Sequence, residues 1–144
     1  MKNYRNPVPT VDIIIECMSG EQSKIILIKR KNPPHGYALP GGFVDEGEPL
    51  HRAALREALE ETGLTVTLTE QFHSYSDPSR DSRQHTVSTV FLGTASGEPV
   101  AGDDAAMVML VDPGELPELV FDHRTIIEDW IRYRREGIRP AWNR

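Results

Sequence analysis

Three glutamates, Glu57, Glu60 and Glu61, lie within five positions of one another in the stretch REALEETG, which is rich in strong helix formers. Like charges at this spacing destabilise a helix, so the cluster needs a physical reason. At about 100° per residue, the three side chains share an arc of about 100°. Leu50 and Ala53 lie on the same arc, which indicates that this face turns toward the protein body.

Carboxylates that face a protein interior are costly unless they are paired or bound to a cation. Mg²⁺ offers this compensation, because it takes oxygen ligands and commonly combines a few carboxylates with substrate phosphates. The cluster therefore predicts a divalent metal site. The alternative is an exposed acidic face with Arg52 and Arg56 as helical partners of the glutamates, and the helix alone does not decide between the two.

The residues around the glutamates decide between these interpretations. Gly42, Glu48 and the run from Arg56 to Leu64 have the order and spacing of the 23-residue signature of the Nudix hydrolases, with alanine at position 58, where a bulkier aliphatic residue is common. The chain resembles a Nudix hydrolase, and this Nudix box covers residues 42–64. The resemblance implies a single domain over residues 1–144 with an α/β (α+β) fold, a Nudix-type α/β/α sandwich with a mixed sheet.

The resemblance also assigns roles to the glutamates and their neighbours. It implies that Glu57, Glu60 and Glu61 bind Mg²⁺, with Mn²⁺ as an alternative ion. Arg56 would orient these glutamates, and Glu48 would anchor the preceding loop by pairing with Arg56, which lies one turn from Glu60.

Three glycines would support this site. Gly41 and Gly42 have no Cβ, so their backbone can approach a metal or a phosphate closely, and the resemblance implies a backbone carbonyl near the metal. Gly63 is well placed to end the helix as a left-handed cap.

Family chemistry is the hydrolysis of a nucleoside diphosphate linked to another group. Metal ions neutralise the diphosphate and lower the pKa of a water that attacks phosphorus, and one carboxylate must accept the proton of that water. The base remains open between Glu60, Glu61 and a later pair, Asp103 and Asp104, of which we include Asp104 among the catalytic candidates. A Gly-Asp-Asp sequence is also ordinary in turns.

The substrate must be inferred from residues outside the box. The loop SYSDPSRDSRQHTVSTVF resembles that of ADP-ribose pyrophosphatases, including Pro78 fifteen residues after Gly63. This resemblance implies cleavage of ADP-ribose to AMP and ribose 5-phosphate. The substrate-binding candidates are Arg80 and Arg83 for a terminal phosphate or ribose, Asp81 and His85 for sugar hydroxyls, Arg30 for a phosphate, and Tyr37 or Phe121 for stacking on adenine.

Other functions remain open at this stage. Within the enzyme class, the alternatives are a nucleoside-triphosphate or dinucleoside polyphosphate pyrophosphohydrolase. A non-catalytic Nudix sensor that binds a nucleotide is a third alternative, but it would not need the three glutamates. A structural calcium site is disfavoured because the spacing is not that of an EF-hand.

Hydrophobic patterning predicts the elements that position these residues. The runs VDIIIECM and KIILIKRK, separated by SGEQS, predict a hairpin, and a loop with one short strand follows. The box helix should run from Pro49 to about Glu61. Three more strands are predicted in LTVTLTEQFHSY, HTVSTVFLGTA and AMVMLVD, before a C-terminal helix that opens at Asp122.

Composition narrows the partners. The chain has 16 basic and 22 acidic residues and a net charge of −6, which argues against nucleic acid or an anionic membrane as the partner. A nucleotide or nucleotide sugar is expected instead, and a homodimer is compatible with the family. The single cysteine, Cys17, excludes an intramolecular disulfide and favours a reducing cytoplasmic location.

Overall fold

The computed structural model describes residues 3–102 and 105–144. The described part contains seven strands and two α-helices: β1 (Val8–Ser19), β2 (Gln22–Arg30), β3 (Tyr37–Ala38), β4 (Gly41–Phe43), α1 (Leu50–Thr62), β5 (Thr67–Tyr75), β6 (Thr86–Thr94), β7 (Ala105–Val111) and α2 (His123–Glu136). A short 3-10 turn, Pro78–Arg80, lies between β5 and β6.

All seven strands form one mixed sheet with the path β3-β2-β1-β6-β5. Strands β1 and β6 are parallel, and the other pairs are antiparallel. The predicted β1–β2 hairpin is confirmed. Strand β4 pairs with the first half of β1, and β7 pairs with β2. The apolar strands β1 and β2 therefore lie inside the sheet, with neighbours on both edges.

The two helices cover opposite faces of this sheet. Along β1, Ile13 and Ile15 pack in the cluster that contains the alanines of α1, whereas Ile14 packs with Ile126 and Trp130 of α2. A strand covered on both faces is apolar at nearly every position, which explains why β1 does not alternate. The predicted α/β/α sandwich with a mixed sheet is confirmed.

Both helices end at glycines, and for α1 the sequence predicts this end at Gly63. Gly63 and Gly137 both adopt a left-handed conformation with φ of 71°, and each donates its backbone N–H to a carbonyl of the last turn. No helix among the described residues is long and apolar enough to cross a membrane.

The segment between β2 and α1 contains two short strands, where the sequence predicted one. Tyr37–Ala38 pairs with β2 and Gly41–Phe43 pairs with β1. Pro40 lies between them and has no N–H to donate, so it interrupts the ladder. The turn between β3 and β4 therefore crosses from one strand to another directly beside the N-terminal half of β1.

Candidate active site

A cavity of about 450 Å³ opens beside the turn between β3 and β4. One wall is α1, which contributes the three glutamates at positions 57, 60 and 61. Another part of the lining contains the guanidinium groups of Arg30 and Arg83 together with Phe43 and Phe121. The cavity therefore joins an acidic wall to a cationic and aromatic one.

Arg56 holds the acidic wall together. Five hydrogen bonds use its five N–H groups. Nε and Nη2 donate to the carboxylate of Glu48 at 2.7 and 2.9 Å, Nη1 donates to Glu57 at 2.9 Å and to Glu60 at 3.2 Å, and Nη2 also donates to the carbonyl of Phe43 at 3.0 Å. One cation thus offsets the repulsion among three carboxylates and ties α1 to the loop before it.

These hydrogen bonds shift the protonation of both partners. The bonds from Arg56 lower the pKa of Glu48 to about 2, and the same contact raises the pKa of Arg56 further above its ordinary range. The contacts predicted between Arg56, Glu48 and the box glutamates are present. Their consequence is a fixed, fully ionised loop-to-helix connection at neutral pH.

Glu61 lies deeper than the other two glutamates and is only 6% exposed. Its Oε2 accepts a hydrogen bond from the N–H of Gly41 at 3.0 Å. Burial, with smaller contributions from the negative charges of Glu57 and Asp12, raises the pKa of Glu61 to about 8. Glu60, in contrast, has a side chain that is 52% exposed at the rim of the cavity, so the three glutamates span a gradient from rim to floor.

This wall fits a divalent metal ion. Its donor atoms are carboxylate oxygens, and burial together with the negative charges of Glu57 and Asp12 raises the pKa of Glu61, a cost that a bound cation would offset. Within residues 3–102 and 105–144, no group of three or more acidic, histidine or cysteine side chains is preassembled for metal binding. In the structure, Arg56 holds Glu57 and Glu60 while Gly41 holds one oxygen of Glu61.

The backbone passes very close to neighbouring groups at two glycines, and at Gly41, where these groups include backbone atoms, glycine is needed. A Cβ at Gly42 would lie 2.6 Å from the carboxylate of Glu57, and a Cβ at Gly41 would collide with the backbone and side chain of Asp12. The structure thus shows close packing of this backbone against Asp12 and Glu57, and its approach to a metal or a phosphate stays a prediction.

The cationic wall consists of two guanidinium groups around one aromatic ring. The Cζ atoms of Arg30 and Arg83 lie 5.1 and 5.2 Å from the ring centroid of Phe121, and Arg83 also lies 5.5 Å from that of Phe43. Burial and the charge of Arg83 lower the pKa of Arg30. Among the described residues, Phe121 is the one non-glycine residue with positive φ, 56°, and such backbone strain is concentrated at functional sites.

The remaining loop candidates occupy different places. Asp81 is buried and accepts two hydrogen bonds from the Arg83 side chain, at 2.8 and 3.0 Å. Arg80 lines the cavity, but its side chain is only 4% exposed. It binds the Asp122 carboxylate through Nε at 3.0 Å and Nη2 at 2.7 Å, and Thr86 through Nη1 at 2.7 Å. Of these residues, Arg83 presents its cation to the cavity, and Arg80 ties the loop to α2.

Two sequence candidates, His85 and Tyr37, lie away from this geometry. His85 hydrogen-bonds with the carbonyl of Ser76 at 2.9 Å and lines a second cavity near the N-terminal segment. Tyr37 lies in β3, where Lys29 contacts its ring. Asp104, with its neighbour Asp103, lies outside the described residues.

Sequence reasoning missed a buried polar cluster on the cavity floor. Asp12 accepts a hydrogen bond from the Ser88 hydroxyl, and its Oδ1 lies 3.4 Å from Nε2 of His123. Nδ1 of the same ring accepts the N–H of Leu39 at 2.9 Å. Burial alone would raise the pKa of Asp12, but His123, Ser88 and Arg80 lower it below its ordinary value. The available signal was one acidic residue inside the β-branched run VDIII.

Comparison with known proteins identifies a matching family and a similar relative. A family model described as the NUDIX domain matches residues 7–130. The chain is 46% identical over 140 residues to a protein from Methanocaldococcus jannaschii named ADP-ribose pyrophosphatase, covering 93% of this chain and 80% of that protein.

Two solved structures are also similar. One is a MutT/nudix family protein from Enterococcus faecalis, with a TM-score of 0.82 and 32% identity over 94% of this chain and 65% of that one. The other is the NUDIX domain of Shewanella oneidensis NrtR complexed with ADP ribose, with a TM-score of 0.78 and 28% identity over 91% of this chain and 90% of that one.

The Glu48–Arg56 contact predicts a pH-dependent stability. A carboxyl with a lower pKa in the folded state stabilises the protein above its unfolded pKa, about 4.3, and this contribution disappears as pH falls through the folded value. Because the folded pKa of Glu48 is about 2, we expect Glu48→Gln to lower Tm at neutral pH and the difference from wild type to shrink below about pH 4.3. Circular dichroism melts from pH 7 downward measure this difference.

Glu46→Gln is the matched control, because Glu46 is exposed on the same turn. Its Tm should follow that of the wild type throughout. A Glu48→Gln curve that runs parallel to the wild-type curve at every pH would show that the contact contributes no charge-dependent stability.

Proposed function

The chain belongs to the Nudix hydrolase family, and from this premise we propose that it hydrolyses ADP-ribose to AMP and ribose 5-phosphate with Mg²⁺ bound to the glutamates of α1. Hydrolases of this family generally need a divalent metal ion. The choice of Mg²⁺, with Mn²⁺ as the alternative, follows from the all-oxygen donor set of the acidic wall.

The observation that carries this proposal is the pairing of two chemically different walls in one cavity. ADP-ribose has a diphosphate at its centre, with a ribose on either side and an adenine at one end. The diphosphate needs a cation between itself and the carboxylates of α1, and the cationic wall offers Arg30, Arg83 and Phe121 to the phosphate, the sugar and the base. The 46% identity to a protein named ADP-ribose pyrophosphatase supports the same substrate.

In this mechanism, Glu57, Glu60 and Glu61 would hold the metal ion, with Glu60 at the rim of the cavity. The chemistry that the ion supplies is neutralisation of the diphosphate charge and a lower pKa for the attacking water. Arg56 keeps Glu57 and Glu60 on one side of the helix, and Glu48 keeps Arg56 in place. Gly41 and Gly42 let the backbone pack directly against Asp12 and the Glu57 carboxylate, where a Cβ would collide.

The proton of the attacking water needs a carboxylate acceptor within hydrogen-bond reach. Glu60 and Glu61 both line the cavity, and they remain candidates together with Asp104. Glu61 is enclosed by the protein, whereas Glu60 is open to solvent at the rim. The two therefore differ in how readily a released proton would reach bulk water.

Arg83 is the residue we assign to substrate orientation. Its guanidinium forms an ion pair with Asp81 and also lies near the rings of Phe43 and Phe121. The Arg83 side chain is 35% exposed and lines the cavity, so it offers a positive charge to a bound ligand. The net charge of the chain, −6, favours a free nucleotide over nucleic acid as the substrate.

We also propose that the protein is cytoplasmic and that it forms a homodimer. Light scattering would test the homodimer.

The direct test is AMP release from ADP-ribose with Mg²⁺ and with a chelator, beside nucleoside triphosphates and dinucleoside polyphosphates. We expect metal-dependent release with preference for ADP-ribose, and a loss on the order of 100-fold or more in Glu61→Gln. Preference for another nucleotide would refute ADP-ribose as the substrate but would leave the assignment as a hydrolase intact. Tight ADP-ribose binding without turnover would instead identify a sensor.

Arg83 and Arg80 should respond differently to truncation. Arg83→Ala should raise KM for ADP-ribose more than KM for a nucleoside triphosphate, since it removes a cation that faces the cavity. Arg80→Ala should instead reduce the free energy of unfolding by about 3–5 kcal/mol, because it leaves Asp122 without its buried partner.

Steady-state kinetics and urea denaturation on both variants separate the two effects. Arg52→Ala, an exposed change on α1, is the control for both measurements. An equal rise in KM for both substrates in Arg83→Ala would rule out its role in ADP-ribose recognition.

A further inference from the structure

The turn between β3 and β4 is held at three successive residues by three different elements. The N–H of Leu39 donates to Nδ1 of His123 in α2 at 2.9 Å. The carbonyl of Pro40 accepts an N–H from the backbone of β1 at 2.9 Å. The N–H of Gly41 donates to Oε2 of Glu61 in α1 at 3.0 Å. Each helix thus contacts the turn on which the metal site depends.

The hydrogen bonds around His123 define its protonation. Nδ1 accepts an N–H, so it must carry a lone pair, and the ring proton must be on Nε2. Nε2 lies 3.4 Å from Oδ1 of Asp12, whose other oxygen accepts the hydroxyl of Ser88. His123 is 2% exposed, so water does not compete for these positions, and the ring is a neutral connector between Asp12 and the turn.

Asp12, the acidic partner of His123, also lies directly beside the turn between β3 and β4. Asp12 is the β1 residue that pairs with Gly41 across the β1–β4 ladder. A Cβ on Gly41 would collide with the Asp12 side chain. Asp12 therefore limits Gly41 from one side, and through His123 it also fixes the N–H of Leu39. Two residues far apart in the sequence restrict the same short segment.

We propose that His123 is a positioning residue for the metal site, which acts by accepting the Leu39 N–H and so holding the 39–41 backbone against Glu61. The inference rests on the proposed function only in taking Glu57 and Glu61 as metal ligands. Residues that orient the ligands of a metal typically change its affinity 10–100-fold when they are lost. The first turn of α2, outside the Nudix box, would then contribute to metal affinity.

The competing interpretation is a buried histidine that only satisfies hydrogen bonds and adds stability. Two substitutions separate the alternatives, because each keeps one half of the imidazole. His123→Asn places an amide oxygen near Nδ1, where it can accept the Leu39 N–H. His123→Gln places its amide near Nε2, where it can donate to Asp12, but it leaves Leu39 without an acceptor.

The probe is Mn²⁺ binding to the full chain without substrate, followed by electron paramagnetic resonance, beside hydrogen exchange of the Leu39 and Gly41 amides and Tm. We expect His123→Gln to bind Mn²⁺ about 10-fold more weakly and to exchange the Leu39 amide faster. His123→Asn should stay within about threefold of wild type in both readouts. Wild-type Mn²⁺ affinity in a folded His123→Gln would overturn the proposal, as would equal losses in both variants.

A measurement on the wild-type protein keeps the test independent of variant folding. The ¹⁵N chemical shifts of His123 should report a neutral ring protonated on Nε2, and a proton on Nδ1 would overturn the proposal. Failure of wild type to bind Mn²⁺ would refute both this role and the metal site. If the His123 variants show the expected Mn²⁺ affinities and amide exchange but the protein does not hydrolyse ADP-ribose, the positioning role of His123 is supported and only the proposed substrate is refuted.

Discussion

The guanidinium of Arg56 stabilises the cluster of glutamates that forms the acidic wall of this site. Glu57 and Glu60 lie on one face of a short helix beside Glu61, where like charges oppose folding. Arg56 offsets this repulsion with hydrogen bonds to two of these glutamates, and its remaining donors bind Glu48 and the Phe43 carbonyl. The same contact therefore stabilises α1, fixes the loop before it and keeps carboxylate oxygens grouped beside the cavity. The protein retains a local excess of negative charge that a divalent ion can compensate.

The sandwich architecture explains how distant segments reach this wall. β1 is buried on both faces, so one helix can pack on each side of the same strand. The N-terminal half of β1 carries Asp12 to the cavity floor, and β4 pairs with it at Gly41. Helix α1 contributes the glutamates from one side, and α2 contributes His123 from the other. The site lies where both layers and the central sheet meet at a single backbone turn.

Much of this arrangement could be predicted from local sequence patterns. The box spacing indicated the family, and Gly63 indicated the end of α1, because both depend on residues close together in the chain. Contacts between distant segments could not be predicted in this way. Asp12 and His123 each look ordinary alone, and their pairing depends on how α2 packs on the sheet. Arg80 and Arg83 come from one polar loop, and only the fold shows that Arg80 is buried against Asp122.

The central claim is that the glutamates of α1 bind the metal that acts on the substrate diphosphate. A crystal structure with Mn²⁺ and a non-hydrolysable methylene analogue of ADP-ribose tests it most directly, because anomalous scattering locates the metal. Our account predicts Mn²⁺ bonded to carboxylate oxygens of Glu57 and Glu61 and to the analogue's phosphonates, with the adenine against Phe121. Mn²⁺ bound away from these carboxylates, or an analogue outside the cavity, would contradict it.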